Sequence, residues 1–525
     1  MSSVTRPATG TEAPRPDQAA AARARLTRVL AWAAVAGIGS SILIMIVASA
    51  VRHSPAVPLM RWPPGWPPLE LAGRLPVAAT YAALWAAVIL GGGGVIAGLA
   101  AVARGARVPA RLLITTAIVA VAAFAMLPPA GSTDTLNYAT FGRIAVLGHD
   151  PYVMTPDELQ RTGDPVGRLA PQIWHRHGSL YGPMATAEQW AAAELGGTSP
   201  VRIIFWLKLW NAIIFLSVVA GLDRMLRSDP ARRARAHLLW SVNPLVLWGL
   251  VASGHLDVFA AAASFFGLAM VRSRQADGEP GSAEPRRLGP GPLVALAAGA
   301  LVGVAADFML TYLLIAVALA WALRRWPAAL LAAAAGFCVV FVPGYLWVGR
   351  PLLHNLLLRR GKLSADSFYQ LLSSAYKTHL PSGPDVAVVL LLGALALLLL
   401  WRLPDVVPDL PAIQPALAIA IAWLFVWYYQ LPWYDVMIIA LLALYPASRL
   451  DYVVMAQLTA GSFVMMPGGS GLEPPLGWLR TFAHAVWFAW VPLVLIGCVV
   501  AVVALCATGA WKIGPPLRRA VGQGG

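Results

Sequence analysis

Long apolar runs separated by short polar connections extend over almost the whole 525-residue chain. Hydrophobic residues make up 58% of the sequence and charged residues only 12%, against roughly 25% charged residues in an average soluble domain. Many of the runs approach the ~20 residues that a helix needs to cross a hydrocarbon layer of ~30 Å. They are apolar throughout rather than alternating with a period of two, which favours helices over a membrane barrel. The sequence therefore predicts an all-α polytopic membrane protein.

The apolar runs predict about 12 to 14 transmembrane helices. The candidate spans lie at about 29–51, 76–102, 112–128, 201–222, 237–252, 256–271, 292–306, 308–323, 327–347, 386–401, 412–429, 434–448, 452–466 and 484–507. With the N-terminus inside, most of the 39 basic residues fall in cytoplasmic segments, as the positive-inside rule requires. Two long segments, about 129–200 and 348–385, then lie outside, and we expect short helices within them.

The chain divides into two tails and one membrane-embedded domain. Residues 1–28 are rich in Pro, Ala, Thr and Arg and are expected to form a disordered cytoplasmic tail. Residues 29–510 form the single predicted domain, and residues 511–525 a second cytoplasmic tail. The net charge of +15 does not indicate nucleic-acid binding in a chain this apolar. The three cysteines lie inside apolar runs, with no spacing typical of a disulfide or metal site.

The first outer segment opens with the polar stretch "GSTDTLNYATFGRIAVLGHDPY" at 131–152. Ser132 or Thr133 can cap a helix that ends near Leu147, with Gly148 as its stop. On such a helix, spacings of three and four place one carboxylate and one aromatic ring, Asp134 and Tyr138, on the same face. The stretch therefore predicts a short helix with Asp134 in its first turn, just beyond the third span.

Asp134 is the candidate catalytic base. A carboxylate at a helix N-terminus is favoured in its ionised form, which a base at neutral pH requires. The alternative is that Asp134 only stabilises the first helical turn. The other polar residues of the stretch are candidate contacts to a substrate or supports for the helix; they are Asn137, Tyr138, Arg143, His149, Asp150 and Tyr152.

Further along the same segment, "IWHRHGSLYGP" brings two histidines and a tyrosine together. His175 and His177 could ligate a metal, but no third ligand is evident nearby, and a spacing of two is poor on a helix. Aromatic and basic residues beside Gly-Pro more often line a polar cleft. We therefore expect His175 and Tyr181 to line a substrate site, while dependence on a divalent metal stays open.

Four ionisable residues interrupt apolar helices in "SGHLDVF", "VAADFML" and "PWYDVMI": His255, Asp257, Asp307 and Asp435. Such groups at the edge of a span are costly and are therefore functional candidates, although each could simply cap a helix. The predicted topology places all four on the outer side. They support a single outward-facing cavity, with His255 and Asp257 ranked first.

These motifs resemble a known family. A short outer helix that begins with Asp134, followed by "YATFGRIAVLGHDPYVMTP" and then by "YGP" some thirty residues later, resembles the polyprenyl-phosphate-mannose-dependent α-1,6-mannosyltransferases of actinobacterial lipoglycan assembly. The resemblance covers about residues 131–186; elsewhere it rests on hydropathy and on the "GHLD" and "PWYD" turns. These enzymes are membrane glycosyltransferases of the GT-C type, which act in cell-wall assembly.

The resemblance implies a reaction at the outer face of the plasma membrane. The implied donor is mannose on a polyprenyl phosphate, and the implied acceptor is a lipid-linked mannan or glycolipid. Asp134 corresponds to the family's catalytic carboxylate and would act as general base in a single displacement with inversion. Related enzymes often carry a basic residue where this chain has Asp307, and an acid there would alter phosphate binding or sugar choice.

A phosphate leaving group requires cations where its negative charge develops. Arg143 and His175 are candidates in the first outer segment. The second outer segment, "NLLLRRGKLSADSFYQLLSSAYKTH", supplies four more: Arg359, Arg360, Lys362 and Lys377. The alternative is that this basic run contacts anionic lipid headgroups.

Other functions remain open at this stage. The transferred sugar could be arabinofuranose or another pentose. The chain could also be a transporter or flippase of lipid-linked sugars, in which intramembrane charges mark a translocation path. Against that, the polar residues cluster at one face, and the sequence shows no repeated halves. A third alternative is a non-catalytic relative that scaffolds cell-wall enzymes.

Overall fold

A computed structural model describes residues 16–58, 60, 69–275, 287–364, 367–371, 384–466 and 477–512. The structure is 73% helical with almost no strands, which confirms the predicted all-α membrane architecture. Its helices are α1 (Pro16–Ala50), α2 (Val77–Ala103), α3 (Ala110–Ala125), α4 (Asp134–Val146), α5 (Pro156–Arg161), α6 (Pro183–Gly196), α7 (Pro200–Met225), α8 (Pro230–Leu239), α9 (Pro244–Val246), α10 (Asp257–Met270), α11 (Pro292–Phe308), α12 (Leu313–Leu323), α13 (Pro327–Val348), α14 (Arg350–Leu357), α15 (Pro384–Arg402), α16 (Ile413–Val426), α17 (Val436–Leu444), α18 (Leu450–Val464), α19 (Gly477–Ala485) and α20 (Val491–Thr508).

The strands are minor. Val51–His53 (β1) and Leu71–Arg74 (β2) pair in parallel, and Arg274–Gln275 (β3) pairs antiparallel with Arg287–Leu288 (β4). Both pairs lie in connections between helices. They add no layer to the helical core.

Six helical segments of the described chain are long and apolar enough to cross a membrane: Ala20–Ala50, Val77–Ala103, Pro200–Met225, Pro327–Val348, Asp385–Arg402 and Gly477–Thr508. One further span would be the pair Pro244–Ala252 and Asp257–Met270, which bends by 115° at its break. Six shorter apolar helices accompany them. Every predicted span overlaps one of the observed helices, whereas the total of 12 to 14 crossings stays a prediction.

Helix α1 starts earlier than the sequence predicted. Helix α1 begins at Pro16, so residues 16–28 of the expected disordered tail are helical instead. The reason is local: Pro16 occupies the first helical position, where proline is favoured, and the alanine-rich run that follows has the highest helix propensity.

The core is formed by the shorter helices. All of α17 and every residue of α16 except Gln414 are buried. The long helices α13 and α15 are, by contrast, mostly exposed to the surroundings, as expected of apolar helices that face lipid. Glycine occupies positions where two helices lie close together. A Cβ added to Gly299 of α11 would lie 1.9 Å from the Ala333 carbonyl oxygen of α13. Small residues thus let the backbones approach, as is common in membrane bundles.

The three predicted helix breaks are confirmed. A π-helical turn, Leu247–Ala252, follows α9 and ends where the chain bends into α10. Helix α11 ends at Phe308, before a short 3₁₀ turn, Leu310–Tyr312. Helix α16 ends at Val426, and the 3₁₀ turn Pro432–Asp435 leads into α17. These breaks place buried polar side chains within an otherwise apolar fold.

Candidate active site

Asp134 is the first residue of α4, as the sequence predicted. The turn before it requires glycine, because Gly131 has a φ of +83° and a Cβ there would lie 2.2 Å from the Trp248 indole nitrogen. The Ser132 hydroxyl accepts a hydrogen bond from the Asp134 backbone N–H at 3.1 Å, whereas Thr133 makes no side-chain capping bond. Gly148, with a φ of +79°, follows the end of the helix as expected. Local sequence thus sets both ends of α4.

The start of α4 is tied to the helix break at residues 252–257. The Ala130 N–H donates to the Ala252 carbonyl oxygen at 3.0 Å, and the Ser253 hydroxyl donates to the Ala130 carbonyl oxygen at 2.6 Å. The Thr135 hydroxyl in turn donates to the Ser253 carbonyl oxygen. These bonds cross more than a hundred residues of sequence, and they hold Asp134 against the segment that carries His255.

His255 lies between Asp134 and two aromatic rings. Its Nδ1 is 3.7 Å from Asp134 Oδ2 and 3.3 Å from the Tyr138 hydroxyl. The imidazole is stacked on the Trp433 ring, with centroids 3.8 Å apart and planes 18° from parallel, and its backbone oxygen accepts a 2.6 Å hydrogen bond from Asn211. His255 is fully buried. Its orientation is therefore fixed, and Asp134 and Tyr138 meet on one face of α4, as predicted.

Burial governs the protonation of Asp134. Its side chain is only 18% exposed, and this burial raises the pKa of its carboxyl group to about 7. A helix N-terminus favours the ionised form of a carboxyl group, but loss of hydration outweighs that effect here. A carboxylate with a pKa close to the operating pH is suited to general-base catalysis.

A second carboxylate and several tyrosines surround Asp134 and His255. Asp257, the first residue of α10, is buried and lies within electrostatic reach of Asp134. The Tyr181 ring packs edge-on against Tyr138, with ring centroids 5.0 Å apart, and Tyr434 lies near both acids. The structure therefore brings Asp134, Tyr138, Tyr181, His255 and Asp257 into one cluster.

Two cations adjoin this cluster through Tyr181. The Arg359 guanidinium lies over the Trp174 ring at 4.4 Å from its centroid, and Lys362 Nζ lies 5.3 Å from the same centroid. Arg359 is within electrostatic reach of Tyr181. Burial lowers the pKa of both Arg359 and Lys362. The two outer segments thus meet at a half-buried cationic surface, composed of Arg359 and Lys362 on Trp174, beside the acidic cluster.

His177 lies beside this cationic surface, whereas His175 does not. Burial, followed by the charges of Arg359 and Lys362, lowers the pKa of His177. His175 instead lies near Asp157 at the start of α5, and its backbone oxygen accepts from the Asp157 N–H at 2.9 Å. The structure therefore places His177 beside the cations. His175, which the sequence indicated as a site residue, lies beside Asp157 instead.

Two other predicted cations have carboxylate partners elsewhere. Arg143 forms an ion pair with Asp164 at 2.8 Å, with both side chains largely buried. Arg360 pairs with Asp385 at 2.5 Å on the surface. Both charges are therefore neutralised outside the Asp134 cluster. Lys377 lies outside the described residues.

The remaining residues of the opening stretch lie at the far end of α4. His149, Asp150 and Tyr152 line a separate cleft that also includes Thr186 and Trp190. Asn137 lies instead in the first turn of α4; it is buried, and its Oδ1 has no hydrogen-bond partner among the residues that the structure describes. The structure therefore splits these candidates between two places.

The side chains of Asp435 and Asp307 have surroundings different from those of Asp134. Asp435 lines a small closed cavity with Gln430 and Gln457, while its neighbour Trp433 packs on His255. Asp307 is buried, with Oδ2 close to Gly344, where an added Cβ would lie 3.0 Å away. The "PWYD" turn therefore contributes its tryptophan to the site rather than its acid.

Sequence reasoning missed Trp433 and Trp174, which support His255 and the two cations. For Trp433 the available signal was an aromatic residue next to a break in an apolar helix; for Trp174 it was an aromatic residue directly before His175. As for metals, no group of three or more His, Cys, Asp and Glu side chains in the described part of the chain is arranged to hold an ion.

Comparison with known proteins gives one match. Residues 34–325, more than half of the chain, match the family model described as alpha-(1→6)-mannopyranosyltransferase, N-terminal domain. No curated protein and no solved structure matches the chain. The match contains Asp134, His255 and Asp257, and it ends before the second outer segment.

Proposed function

From the premise that the chain belongs to the alpha-(1→6)-mannopyranosyltransferase family and is a membrane glycosyltransferase, we propose that its donor is mannose on a polyprenyl phosphate. The proposed acceptor is a hydroxyl of a lipid-linked mannan or glycolipid, and the proposed location is the outer face of the plasma membrane. The observation that carries this proposal is the pairing of a half-buried cationic surface with a buried carboxylate. Asp134 lies beside His255 and within electrostatic reach of Tyr181. Arg359 lies within electrostatic reach of Tyr429 and Tyr181, and Lys362 shares the Trp174 ring with Arg359.

The proposed reaction is one displacement. The acceptor hydroxyl oxygen attacks the anomeric carbon of the mannosyl group while Asp134 takes the hydroxyl proton. The bond from the anomeric carbon to the phosphate oxygen breaks, and polyprenyl phosphate leaves with both electrons. A β-linked donor then gives an α-linked product with inversion. A positioned base contributes roughly 10² to 10⁴-fold to such a rate.

The cationic surface would stabilise the leaving phosphate. A phosphodiester with one negative charge becomes a phosphomonoester with more, so cations placed at this oxygen bind the transition state more tightly than the donor. Arg359 offers a planar fork suited to phosphate oxygens, and Lys362 a compact charge. Trp174 holds both cations in place, which reduces the reorganisation that binding requires.

His255 and Tyr138 act as positioning residues in this proposal. The imidazole is held by Trp433 and faces both the Asp134 carboxylate and the Tyr138 hydroxyl. It can therefore keep the carboxylate oriented toward the acceptor.

The test compares two aspartates of the first outer segment, Asp134 and Asp157. Asp157 lies in α5 in an exposed ion pair with Arg161, and it is a matched control. With purified protein, a labelled polyprenyl-phosphate mannose and an α-1,6-oligomannoside, Asp134→Asn should lower kcat by about 10² to 10⁴-fold, whereas Asp157→Asn should keep the wild-type rate. Because the base must be deprotonated, the wild-type rate should rise with pH through about 7.

Three outcomes would contradict the proposal. Transfer by Asp134→Asn at the wild-type rate would remove Asp134 as the base. A clear preference for the arabinofuranosyl donor would replace mannose as the sugar. No product with any polyprenyl-phosphate sugar would contradict the proposed donor class.

A further inference from the structure

A cleft of about 520 Å³ lies at the end of α4 opposite to Asp134. Its walls come from three elements that are distant in sequence: the turn after α4, helix α6 and the last residues of α13. The lining includes His149, Asp150, Tyr152, Thr186, Trp190 and Trp347. The cleft is therefore built mainly from the first outer segment, together with the end of α13. Its described lining contains no residue of the cluster around Asp134.

The floor of the cleft is held in place. The Tyr152 hydroxyl and the Thr186 hydroxyl are 2.7 Å apart and share a hydrogen bond. Asp150 Oδ1 accepts from the Tyr152 N–H at 2.8 Å, and the Asn355 side chain donates to the Tyr152 carbonyl oxygen at 2.9 Å. Tyr152 itself is only 3% exposed. A ligand would therefore meet a preformed surface and cause little ordering on binding.

The rim presents two tryptophans. Trp190 of α6 is 46% exposed and Trp347 of α13 is 69% exposed, and both line the same cleft as the exposed side chains of His149 and Asp150. Flat indole faces pack against the C–H faces of pyranose rings, while a carboxylate and an imidazole hydrogen-bond to sugar hydroxyls. Pockets that combine aromatic walls with a few fixed polar groups are typical of ligand sites.

The distance between the cleft and Asp134 indicates that the ligand of the cleft is a glycan. Helix α4 has 13 residues, so at 1.5 Å per residue it separates the two sites by about 20 Å. That separation exceeds one sugar unit and matches an oligosaccharide of several units. We propose that the cleft binds the part of the acceptor glycan that lies several residues from its reacting hydroxyl. This proposal rests on the proposed function, because it assigns the same reaction's acceptor.

The experiment uses one variant in which both tryptophans are replaced, and a matched control variant. Trp490 is 67% exposed and lies within the last apolar segment, Gly477–Thr508, so Trp490→Ala removes a comparably exposed indole elsewhere. With the full-length protein, Trp190→Ala combined with Trp347→Ala should raise KM for a long α-1,6-oligomannoside about tenfold. KM and kcat with a disaccharide acceptor should not change. Trp490→Ala should change neither acceptor's KM.

Binding without donor separates this proposal from the proposed function. Wild-type protein in lipid nanodiscs should bind the long oligomannoside at least about tenfold more tightly than the disaccharide, and the double variant should lose that difference. If the protein binds the long glycan but transfers nothing, the cleft assignment stands and the proposed reaction falls. If transfer proceeds but the double variant shows no length-dependent loss, or loses both acceptors equally, the cleft assignment is wrong. Binding of anionic-lipid vesicles in place of the glycan would also overturn it.

Discussion

At the residue scale, three arginines of the outer segments show that neighbours decide what a charge does. Arg143 is paired with the buried carboxylate of Asp164, and Arg360 with Asp385 at the surface. Arg359 instead lies on the Trp174 ring and near Tyr181. Chemically identical side chains therefore serve a structural ion pair, a surface ion pair and a candidate phosphate contact.

We expect Arg359→Gln to lower kcat/KM for the polyprenyl-phosphate donor about tenfold to a hundredfold, because a hydrogen bond to a charged group contributes about 1.5 to 3 kcal/mol. Most of the loss should be in kcat, since the proposed contact is strongest in the transition state. KM for the acceptor should stay close to the wild-type value. Steady-state kinetics with each substrate varied in turn will measure both constants.

Arg360→Gln provides the control. Its side chain is 65% exposed, and an exposed ion pair contributes only about 0 to 1 kcal/mol. Its kcat/KM for the donor should match the wild type. Equal losses in the two variants would show that general surface charge, and not the place of Arg359, governs donor binding.

The sequence could place Asp134 in the first turn of a helix because the signals for that helix are local. The cap, the first turn and the stop at Gly148 all lie within twenty residues. The stacking of His255 on Trp433 and the pairing of Arg143 with Asp164 depend on how distant segments pack, and periodicity carries no information about them. Asp134's raised pKa has the same origin, since tertiary burial sets it.

At the element scale, α4 and α6 approach each other through a glycine. A Cβ added to Gly142 would lie 2.1 Å from the backbone oxygen of Gln189. That oxygen belongs to helical backbone, so only a shift of one helix could relieve the clash. The close contact fixes α4, and thereby Asp134, relative to α6.

We expect Gly142→Ala to lower the free energy of unfolding by about 1 to 3 kcal/mol, as is typical when a packed interior receives an extra group. Thermal melting in detergent will report the loss as a lower Tm.

Gly393→Ala is the matched change in α15, because a Cβ there meets nothing within 4 Å. Alanine is a better helix former than glycine by up to about 1 kcal/mol, so the Tm of this variant should be unchanged or slightly raised. A Tm for Gly142→Ala as high as that of Gly393→Ala would contradict the close α4–α6 contact.

At the scale of the whole molecule, the predicted orientation places the first outer segment and the α7–α8 connection on opposite sides of the membrane. Two exposed hydroxyl residues mark these places: Thr162 after α5 and Ser228 between α7 and α8. The distribution of basic residues assigns Ser228 to the cytoplasm.

We expect a membrane-impermeant maleimide added to intact cells to label Thr162→Cys and to leave Ser228→Cys unlabelled. Both variants should carry Cys338→Ala, because Cys338 is exposed, whereas the other two cysteines are buried. Permeabilised cells should give labelling of both and serve as the control. The reverse pattern in intact cells would place Asp134 on the cytoplasmic side and remove the outer-face proposal.

The stacking of His255 on Trp433 has a consequence for the integrity of the enzyme. The segment that matches the mannopyranosyltransferase family ends at residue 325, yet Trp433, Arg359 and Lys362 all come later in the chain. A truncated protein ending at that boundary would keep the carboxylate but lose the ring that braces its histidine partner and both neighbouring cations. In the proposed mechanism, the site is therefore assembled from residues on both sides of residue 325, and a chain cut there is expected to lack activity.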